Sequence, residues 1–485
     1  MSKEVRKRYP GAQPFNDDGL SRSLFYGREK ESTALTNQIL ANRLVVLFAR
    51  SGLGKTSLLN AGVSENLRSE GFLPLPVRVN DTKSGPLESV YSGIKAACER
   101  QGIEYKEGDK SSLWYFFKTA EFWQSDLLIS PVLILDQFEE MFALQSEQQR
   151  IKFLDQFSYL VRGVRPKELP AEVSDSPPPI KIVISLREDF LANLEELSDR
   201  IPEVLDQRFR LLALERPAAS QAIEKPASIE DPNLATKPFE LDSRARDTIL
   251  NFLESRVVSP ARRSSNLVEP FQLQLICQHV EGIARKKQVN KAEGRVRVTL
   301  EDVGGESNLR RILKVFYTRQ VSTVRSLRQR KAVKRLCSEF LISPEGRRLR
   351  MEESEIQRLV KVRSNTLQKL VDCRLLRVEQ SADGNYFELS HDSLIRPVID
   401  SKRLEFALRA VLVALLCVGF VITVLLIAGG AIGLFKAIPE LKSEGVSTSY
   451  LFIPYFIASV IVYALVSKTI RCFKDFREMV RRSRI

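Results

Sequence analysis

The chain has 485 residues and a formal net charge of +14 at pH 7, a length that allows two to four domains and excludes a single small fold. Its apolar fraction of 44% and charged fraction of 28% are those of a packed globular protein and exclude a chain that is disordered throughout. The six cysteines are widely spaced and accompanied by only two histidines, so we expect neither a disulfide framework nor a zinc site.

The first motif is a candidate phosphate-binding loop, ARSGLGKT, at residues 49–56. It matches the pattern Gly-x-x-x-x-Gly-Lys-[Ser/Thr] except at its first position, where Ala49 replaces glycine. An apolar run, RLVVLF, precedes the loop and a helical pattern follows it, so we predict a buried parallel strand, the loop, and a helix whose N-terminus meets the phosphates. Lys55 would then reach the β- and γ-phosphates, and the Thr56 hydroxyl would hold Mg²⁺.

A second apolar strand, PVLILD, ends at Asp136 and is followed by Glu139 and Glu140. We expect this strand to neighbour the one before the phosphate loop, which would bring the Asp136 carboxylate to Mg²⁺. A further carboxylate can orient the attacking water, and the sequence does not choose between Glu139 and Glu140 for that role. An acidic turn on the protein surface is the alternative interpretation, and the phosphate loop makes it the weaker one.

A third strand, IKIVISLR, follows the proline-rich linker SDSPPP and carries Ser185 and Arg187 at its polar end. Ligands bind at the carboxyl edge of open α/β sheets. Arg187 is therefore a candidate sensor of the γ-phosphate, with a structural salt bridge as the equal alternative. The three strands together predict an α/β fold with a parallel sheet.

The next segments have different patterns. Residues 237–308 are mostly amphipathic helix. In residues 309–401, short helices precede two strands on either side of Asp383-Gly384-Asn385, a pattern typical of a winged helix.

Two apolar runs near the C-terminus predict a transmembrane hairpin. Residues 410–435 contain no charge and are long enough to cross a hydrocarbon core of about 30 Å, and residues 449–467 have the length of a minimal span. Lysine and arginine precede the first run and follow the second, so the positive-inside rule places both termini and the large N-terminal part in the cytosol. The N-terminus has no apolar core of a signal peptide. A buried soluble helix is the alternative for each run.

The charge distribution fits the same picture. The basic tail at residues 468–485 directly follows an apolar run, where contact with membrane lipid on the inner face explains it. The basic run at residues 325–335 is typical of a solvated helix face, and nucleic-acid contact there is the weaker interpretation. No ionisable side chain lies in either apolar run, so we assign no ion pathway, and a plain anchor is the simplest role.

These motifs together resemble the STAND class of signalling P-loop ATPases and, within it, the bacterial novel STAND NTPase family. The resemblance rests on the segments YPGAQPF, LFYGREKE, GLGKTSLLNAGV, LILDQFEEMF and ISLREDFLANL. It implies a P-loop NTPase domain, a helical lid and a winged-helix domain, with ATP or ADP and Mg²⁺ as ligands. With the apolar runs, the predicted order is a lead segment (1–24), the NTPase domain (25–236), the lid (237–308), the winged helix (309–401), two transmembrane helices (410–435 and 449–467) and a cytosolic tail (468–485).

The resemblance also assigns residues to roles. It implies that Pro270 packs against the nucleotide base, with helix capping as the alternative. It also implies that His391 contacts the β-phosphate of ADP in an inactive state, with a purely structural histidine as the equal alternative. The complete set of predicted nucleotide-binding residues is Gly27, Arg28, Ala49, Arg50, Ser51, Gly52, Leu53, Gly54, Lys55, Thr56, Ser57, Pro270 and His391. The predicted catalytic residues are Lys55, Glu139, Glu140 and Arg187, and the predicted metal ligands are Thr56 and Asp136.

The function that the resemblance implies is a slow, regulatory ATPase switch in bacterial signalling or antiviral defence. The expected form is a homo-oligomer that acts through its hairpin in the bacterial inner membrane. No internal repeat is apparent, so we expect a separate sensor or trigger protein. One alternative is a constitutive membrane-tethered ATPase with a passive anchor. The other is a DNA-binding regulator that uses Lys361, Arg363 and Lys369 of its winged helix, although nucleic acid is the less expected partner.

Overall fold

The structure is a computed structural model that describes residues 5–81, 84–254, 267–290, 295–344, 346–381, 384–390 and 394–402, with isolated helical residues from 407 to 425. The chain divides into two compact units, residues 1–398 and 399–485. The second predicted apolar run, at 449–467, and most of the first lie outside the described residues. In the described part of the chain, no helix is both long and apolar enough to cross a membrane.

A five-stranded parallel sheet lies at the centre of the first unit. The strands of the N-terminal half are β1 (Leu44–Ala49), β2 (Phe72–Val77), β3 (Glu104–Lys106), β4 (Glu121–Gln124), β5 (Leu127–Leu128), β6 (Ser130–Asp136), β7 (Lys181–Arg187) and β8 (Arg208–Arg210). The central sheet has the order β2-β6-β7-β1-β8 with every pair parallel, and β3, β4 and β5 form a separate antiparallel sheet. The predicted parallel α/β fold is confirmed.

Helices cover both faces of the central sheet. They are α1 (Gly19–Ser23), α2 (Glu29–Ala41), α3 (Lys55–Ser57), α4 (Ser64–Ser69), α5 (Gly85–Gln101), α6 (Leu113–Thr119), α7 (Glu139–Leu144), α8 (Glu147–Arg162) and α9 (Glu195–Ser198). A π-helical segment, Leu58–Val63, joins α3 to α4. Alternate residues of β1 enter opposite cores: Val46 packs with α5 and α8 on one face, and Val45 packs with α2 on the other.

The residue pattern of each strand matches its place in the sheet. The three central strands are continuous apolar runs because helices bury them on both faces. The edge strand β2 contains Pro74 and Pro76, which cannot donate to a ladder and are tolerated where one side of the strand is unpaired. The other edge, β8, carries Arg208 and Arg210, and charged side chains on an edge discourage pairing with another chain.

The order of the central strands corrects one expectation. We expected the strand that ends at Asp136 to neighbour β1, and this is wrong, because β7 lies between them and pairs with both. All three strands are apolar and of similar length, so their residues alone do not specify which pairs with which. The observed order places Arg187, at the end of β7, between the phosphate loop and Asp136.

A helical subdomain, residues 216–322, follows the sheet. Its elements, with the short strand before it, are β9 (Leu214–Glu215), α10 (Arg216–Ser228), β10 (Phe239–Leu241), α11 (Ser243–Glu254), β11 (Leu267–Val268), α12 (Pro270–Asn290), β12 (Val296–Val298), α13 (Leu300–Val303) and α14 (Gly305–Ser322). Leu309 and Leu313 of α14 belong to its core. The predicted boundary at residue 309 therefore falls inside a helix that packs with the preceding ones.

A C-terminal subdomain, residues 327–398, completes the first unit. It contains α15 (Leu327–Arg335), β13 (Met351–Glu352), α16 (Glu353–Glu355), α17 (Ser364–Asp372), β14 (Leu376–Ser381) and β15 (Gly384–Leu389), with π-helical segments at Leu336–Phe340 and Ile356–Val360. The strands form an antiparallel sheet in the order β13-β15-β14. The two strands expected on either side of Asp383 pair along their whole length.

Candidate nucleotide site

The phosphate loop connects β1 to the helical run that begins at α3. Gly52 and Gly54 have φ angles of +79° and +91°, in the left-handed region that glycine adopts without steric penalty. Ala49 is the last residue of β1 and is fully buried in an extended strand. The backbone at this position does not need glycine, so the alanine leaves the loop geometry intact. The Lys55 Nζ lies 3.4 Å from the carbonyl oxygen of Ala49.

Two hydroxyl side chains contact the Asp136 carboxylate at the end of β6. The Thr56 hydroxyl donates to Asp136 Oδ2 over 2.8 Å, and the Ser185 hydroxyl donates to Asp136 Oδ1 over 2.8 Å. A hydroxyl beside a buried carboxylate is a donor set that suits Mg²⁺, which prefers oxygen ligands and keeps water and phosphate in its remaining positions. Among the described residues, no group of three His, Cys, Asp or Glu side chains could hold a metal by itself. The remaining ligands of an ion here would come from nucleotide and water.

A cavity of about 250 Å³ lies beside the loop. Of the predicted site residues, those that line it are Arg28, Ser51, Gly52, Leu53, Gly54, Lys55, Thr56, Ser57, Asp136, Glu139, Arg187 and Pro270. Four predicted residues are not among its lining: Gly27, Ala49, Arg50 and Glu140. The predicted His391 lies outside the described residues. The structure thus brings together residues from positions 28, 51–57, 136, 139, 187 and 270 around one space.

The Gly-Arg-Glu motif at residues 27–29 packs against the phosphate loop and against α10. A Cβ on Gly27 would lie 2.3 Å from the carbonyl oxygen of Ala218, so this glycine permits close packing against α10. The buried Arg28 donates to the carbonyl oxygens of Leu53 (3.2 Å) and Leu212 (2.7 Å). Its guanidinium therefore ties the phosphate loop to the segment after β8.

Pro270 is the first residue of α12 and lines the cavity. Proline is favoured at this position because the first turn of a helix has no partner for its N–H. The sequence left two roles open for Pro270, starting a helix and contacting the nucleotide. A proline at the first position of α12 that also lines the cavity can have both roles.

The lead segment forms part of the cavity wall, which the sequence did not indicate. Its lining residues are Gly11, Ala12, Gln13, Pro14, Phe15 and Leu24. The segment bridges two parts of the unit: the Phe15 N–H donates to Ser57 Oγ over 3.2 Å, and the Arg8 N–H donates to Glu281 Oε1 over 2.9 Å.

The two candidate catalytic glutamates have different surroundings. Glu139 is buried and lines the cavity, and its Oε2 accepts the N–H of Arg187 over 3.2 Å. Glu140 is outside the cavity lining, and its Oε2 has no hydrogen-bond partner in the described part of the chain. Burial raises the pKa of the Glu140 carboxyl to about 7, against the opposing charges of Arg78 and Arg377. Geometry therefore favours Glu139 as the carboxylate that meets a nucleotide.

Two residues of the C-terminal subdomain contact predicted catalytic residues. Arg377 donates to Glu139 Oε1 over 3.1 Å, and Arg187 donates to Glu388 Oε1 over 2.7 Å. Arg377 and Glu388 are directly opposite each other on β14 and β15. We call Glu139, Arg187, Arg377 and Glu388 the ion-pair quartet. Each side of this contact presents one positive and one negative group to the opposite charges on the other side.

The cavity has an excess of positive charge. Its cationic lining residues are Arg28, Lys55, Arg78, Arg187, Arg374 and Arg377, and its lining carboxylates are Asp136 and Glu139. A concave site with more cations than carboxylates attracts an anion such as a polyphosphate. Burial lowers the pKa of Lys55, and the nearby Glu139 and Asp136 oppose that shift.

Sequence reasoning missed Arg78, Arg374, Arg377 and Glu388. Arg78 directly follows β2, so the rule that identified Asp136 and Arg187, a polar residue at the carboxyl end of a parallel strand, would have found it as well. Arg377 and Glu388 alternate with apolar residues on their strands and look like solvent-facing positions. Only the docking of the hairpin on the central sheet reveals their contacts.

Glu140 predicts a pH dependence of stability. A carboxyl whose pKa is higher in the folded than in the unfolded state stabilises the fold fully below the unfolded value, and this contribution is lost as pH rises through the folded value. The free energy of unfolding of the wild type, minus that of Glu140→Gln, should fall by about 2 kcal/mol between pH 5.5 and 8. Urea denaturation followed by tryptophan fluorescence measures it, because both tryptophans, Trp114 and Trp123, lie in the N-terminal half. A difference that is constant or rises with pH would contradict the assignment.

A parallel sheet with a glycine loop, an adjoining helix and a buried aspartate on a nearby strand defines a P-loop NTPase. The profile of the family Novel STAND NTPase 1 matches residues 9–397. The chain therefore belongs to the novel STAND NTPase family, as the sequence motifs predicted, and nucleotide binding follows from that membership.

Comparison with solved structures gives several distant similarities. The ORC1 protein of Aeropyrum pernix, solved in complex with DNA, has 18% identity and a TM-score of 0.40, covering 82% of this chain and 98% of its own. The ORC2 protein of Aeropyrum pernix, solved in ADPNP-ADP complexes, has 16% identity and a TM-score of 0.38, covering 78% and 95%. Cdc6p from Pyrobaculum aerophilum has 12% identity and a TM-score of 0.36, covering 82% and 96%. No curated protein matches the chain.

Proposed function

We propose that the chain is a membrane-anchored ATPase switch in which the C-terminal subdomain, a winged helix, holds the nucleotide site closed while ADP is bound. Replacement of ADP by ATP would release the subdomain and permit homo-oligomerisation. The expected setting is a bacterial signalling or antiviral response at the inner membrane, started by a separate trigger protein.

The observation that carries this proposal is the ion-pair quartet. Arg377 engages the carboxylate that would orient the attacking water, and Glu388 engages the arginine that would meet the γ-phosphate. The side chains of Glu139, Arg187 and Glu388 are exposed by only 3%, 8% and 8%. A subdomain that pairs with both catalytic candidates at once keeps them from acting on ATP. A constitutive ATPase would have no need for such contacts.

In the open state these residues would regain their catalytic positions. Lys55 would bind the β- and γ-phosphates, the Glu139 carboxylate would accept a hydrogen bond from the attacking water, and Arg187 would donate to the γ-phosphate. Thr56 and Asp136 would hold Mg²⁺, and a bound Mg²⁺ would neutralise part of the negative charge of the phosphates. The wall formed by Pro270 and the lead segment would exclude water from the base.

Two features support the membrane anchor. Within the first apolar run, the described residues that carry large apolar side chains are helical and exposed by 53–66%: Val411, Leu415, Val418, Ile422 and Leu425. Exposed apolar side chains in this number need lipid or protein to cover them, and the cationic flanks of the two runs fit the inner face of a membrane.

The test is the identity of the nucleotide retained by the full-length chain purified from membranes. We expect ADP close to one per chain, slow turnover without a trigger, and an empty site in Lys55→Ala. Rapid trigger-independent hydrolysis would favour the constitutive ATPase, and a wild-type chain that retains no nucleotide would refute the closed ADP state.

A further inference from the structure

We propose that the basic surface of this chain, defined as the exposed sides of α12, α14 and α15, binds the anionic phospholipid headgroups of a membrane. This inference rests on the membrane anchor of the proposed function and adds a second, separate lipid contact to it. Residues 305–335 contain ten arginine and lysine side chains and a single carboxylate, Glu306. An excess of nine positive charges in this segment, out of a net charge of +14 for the whole chain, is the pattern that an anionic partner requires.

One side of α14 carries cations around an aliphatic residue. Arg311, Val315 and Arg319 are exposed and are spaced four residues apart, so they lie in one row along the helix. The opposite side carries Leu313 and Tyr317, which are buried in the core of the helical subdomain or close to it. Packing of the apolar side therefore holds the two arginines outward.

The neighbouring helices repeat this pattern. On α12, Lys286 is exposed three residues before Val289, and on α15, Arg328 and Lys331 are exposed close to Leu327. Each helix thus presents one aliphatic side chain among its cations. The exposed fractions of these side chains are 80%, 50% and 71% for Val289, Val315 and Leu327.

The three clusters follow one another across the boundary between the two subdomains. The imidazole of His279 on α12 is exposed, yet partial desolvation lowers its pKa, and the nearby charges of Lys286 and Arg311 lower it further. The exposed sides of α12 and α14 are therefore neighbours. α15 is tied to the end of α14, because the Arg330 guanidinium donates to the carbonyl oxygen of Ser322 over 3.0 Å.

Several cations of the basic surface have no ion pair or hydrogen bond through their side chains in the described part of the chain. They are Lys286, Arg311, Arg319, Arg328 and Lys331. The single carboxylate of the segment, Glu306, contacts Arg310 at 3.5 Å, and both of these side chains are more than half exposed. Positive charges that are left unpaired on one surface are available to a partner that supplies many negative groups at once.

The aliphatic side chains favour lipid over nucleic acid as that partner. Contacts to a nucleic-acid backbone are made by cations and hydrogen-bond donors. At a bilayer, aliphatic side chains enter the acyl boundary while lysine and arginine meet the headgroups. Residues 399–409 link the first unit to the first apolar run, and an extended chain of this length reaches at most about 40 Å. In the proposed anchored form, this linker tethers the first unit close to lipid.

The experiment is lysine footprinting of the full-length chain in nanodiscs of phosphatidylcholine, with and without phosphatidylglycerol. Brief acetylation followed by mass spectrometry measures the reaction rate of each lysine. We expect Lys286 and Lys331 to react at least about fivefold more slowly in the anionic nanodiscs, since a cation near an anionic surface contributes about fivefold in affinity. Lys106 on β3, which is 69% exposed, is the matched control and should react equally in both.

A charge-reversed variant separates lipid binding from an effect on the fold. Arg311→Glu combined with Arg319→Glu changes two exposed side chains that do not line the nucleotide cavity. We expect this variant to keep the wild-type melting temperature and to lose the slower acetylation of Lys286 in anionic nanodiscs.

Two results would overturn the inference while insertion of the chain into nanodiscs left the anchor standing. One is equal acetylation of Lys286 in neutral and anionic nanodiscs, and the other is an equal slowing at Lys106. Binding of a DNA duplex that the charge-reversed variant loses, without protection of the lysines by lipid, would assign the surface to nucleic acid instead. A chain that does not insert would overturn the anchor, and its failure to float with phosphatidylglycerol vesicles would then overturn the inference as well.

Discussion

Replacing Glu139 with glutamine should lower the single-turnover rate of ATP hydrolysis about 10²- to 10⁴-fold, the range for losing a general base, while ATP still binds. Glu139 is the only one of the two adjacent glutamates that lines the cavity, and its carboxylate is fixed by the Arg187 N–H. Glutamine keeps the size and the hydrogen-bond acceptor but cannot accept a proton from water. Rapid-quench measurement of product with excess enzyme separates this loss from weaker binding.

The matched control is Glu140→Gln, the same change one residue away. Glu140 has a raised pKa and does not line the cavity, so we expect its loss to change the hydrolysis rate less than tenfold. If Glu140→Gln proves the more damaging of the two, the assignment of the catalytic carboxylate reverses.

The second large effect is expected from Glu388→Ala, which should open the closed state. Glu388 lies between Arg187 and Arg348 at 2.7 and 3.2 Å, with all three side chains buried. Removing one member of a buried ion pair costs about 3–5 kcal/mol, because a charge is left without its partner. That energy shifts the balance between closed and open forms about 10²- to 10⁴-fold. The measurable result is faster exchange of bound ADP and basal hydrolysis above the wild-type level.

Two further variants separate release of the subdomain from loss of its fold. Glu355→Ala removes an exposed glutamate of the same subdomain and should leave ADP exchange unchanged. Arg377→Ala breaks the other half of the quartet without touching Arg348 and should shift exchange in the same direction as Glu388→Ala, by a smaller factor. Unchanged ADP exchange in both quartet variants would show that the contact does not restrain the site.

Local patterns predicted the parts of the site that depend on local structure. The strand, loop and helix around Lys55 are contiguous in sequence, and a carboxylate at the end of an apolar strand needs only the polarity of parallel sheets to be placed at the edge. The sequence could not choose between Glu139 and Glu140, because the direction of each side chain depends on the backbone of the turn after β6. In that turn Gln137 has a positive φ of 58°.

Contacts between distant segments could not be predicted from the sequence. The basic N-terminal stretch looks like a solvated tail, yet Arg8 is fully buried and donates to Thr236 and to the carbonyl oxygens of Pro226 and Ile229. These acceptors are more than 200 positions away along the chain, and no hydrophobic periodicity or motif in either segment predicts the contacts. The order of the strands in the central sheet could not be predicted for the same reason. Several apolar strands of similar length could pair equally well, and the packing of the whole fold selects the observed pairs.

The arrangement of charges in the ion-pair quartet determines which solution conditions could open the proposed closed state. Because each face carries one cation and one anion, the contact is electrically balanced. Three of its side chains are at most 8% exposed and that of Arg377 is 20% exposed, so dissolved ions screen the contact less than they screen surface pairs. Changes in ionic strength should therefore leave the proposed closed form undisturbed. Opening would require a ligand that competes for Arg187 or Glu139 directly. We therefore expect the proposed switch to respond to a specific molecule and not to a change in salt concentration.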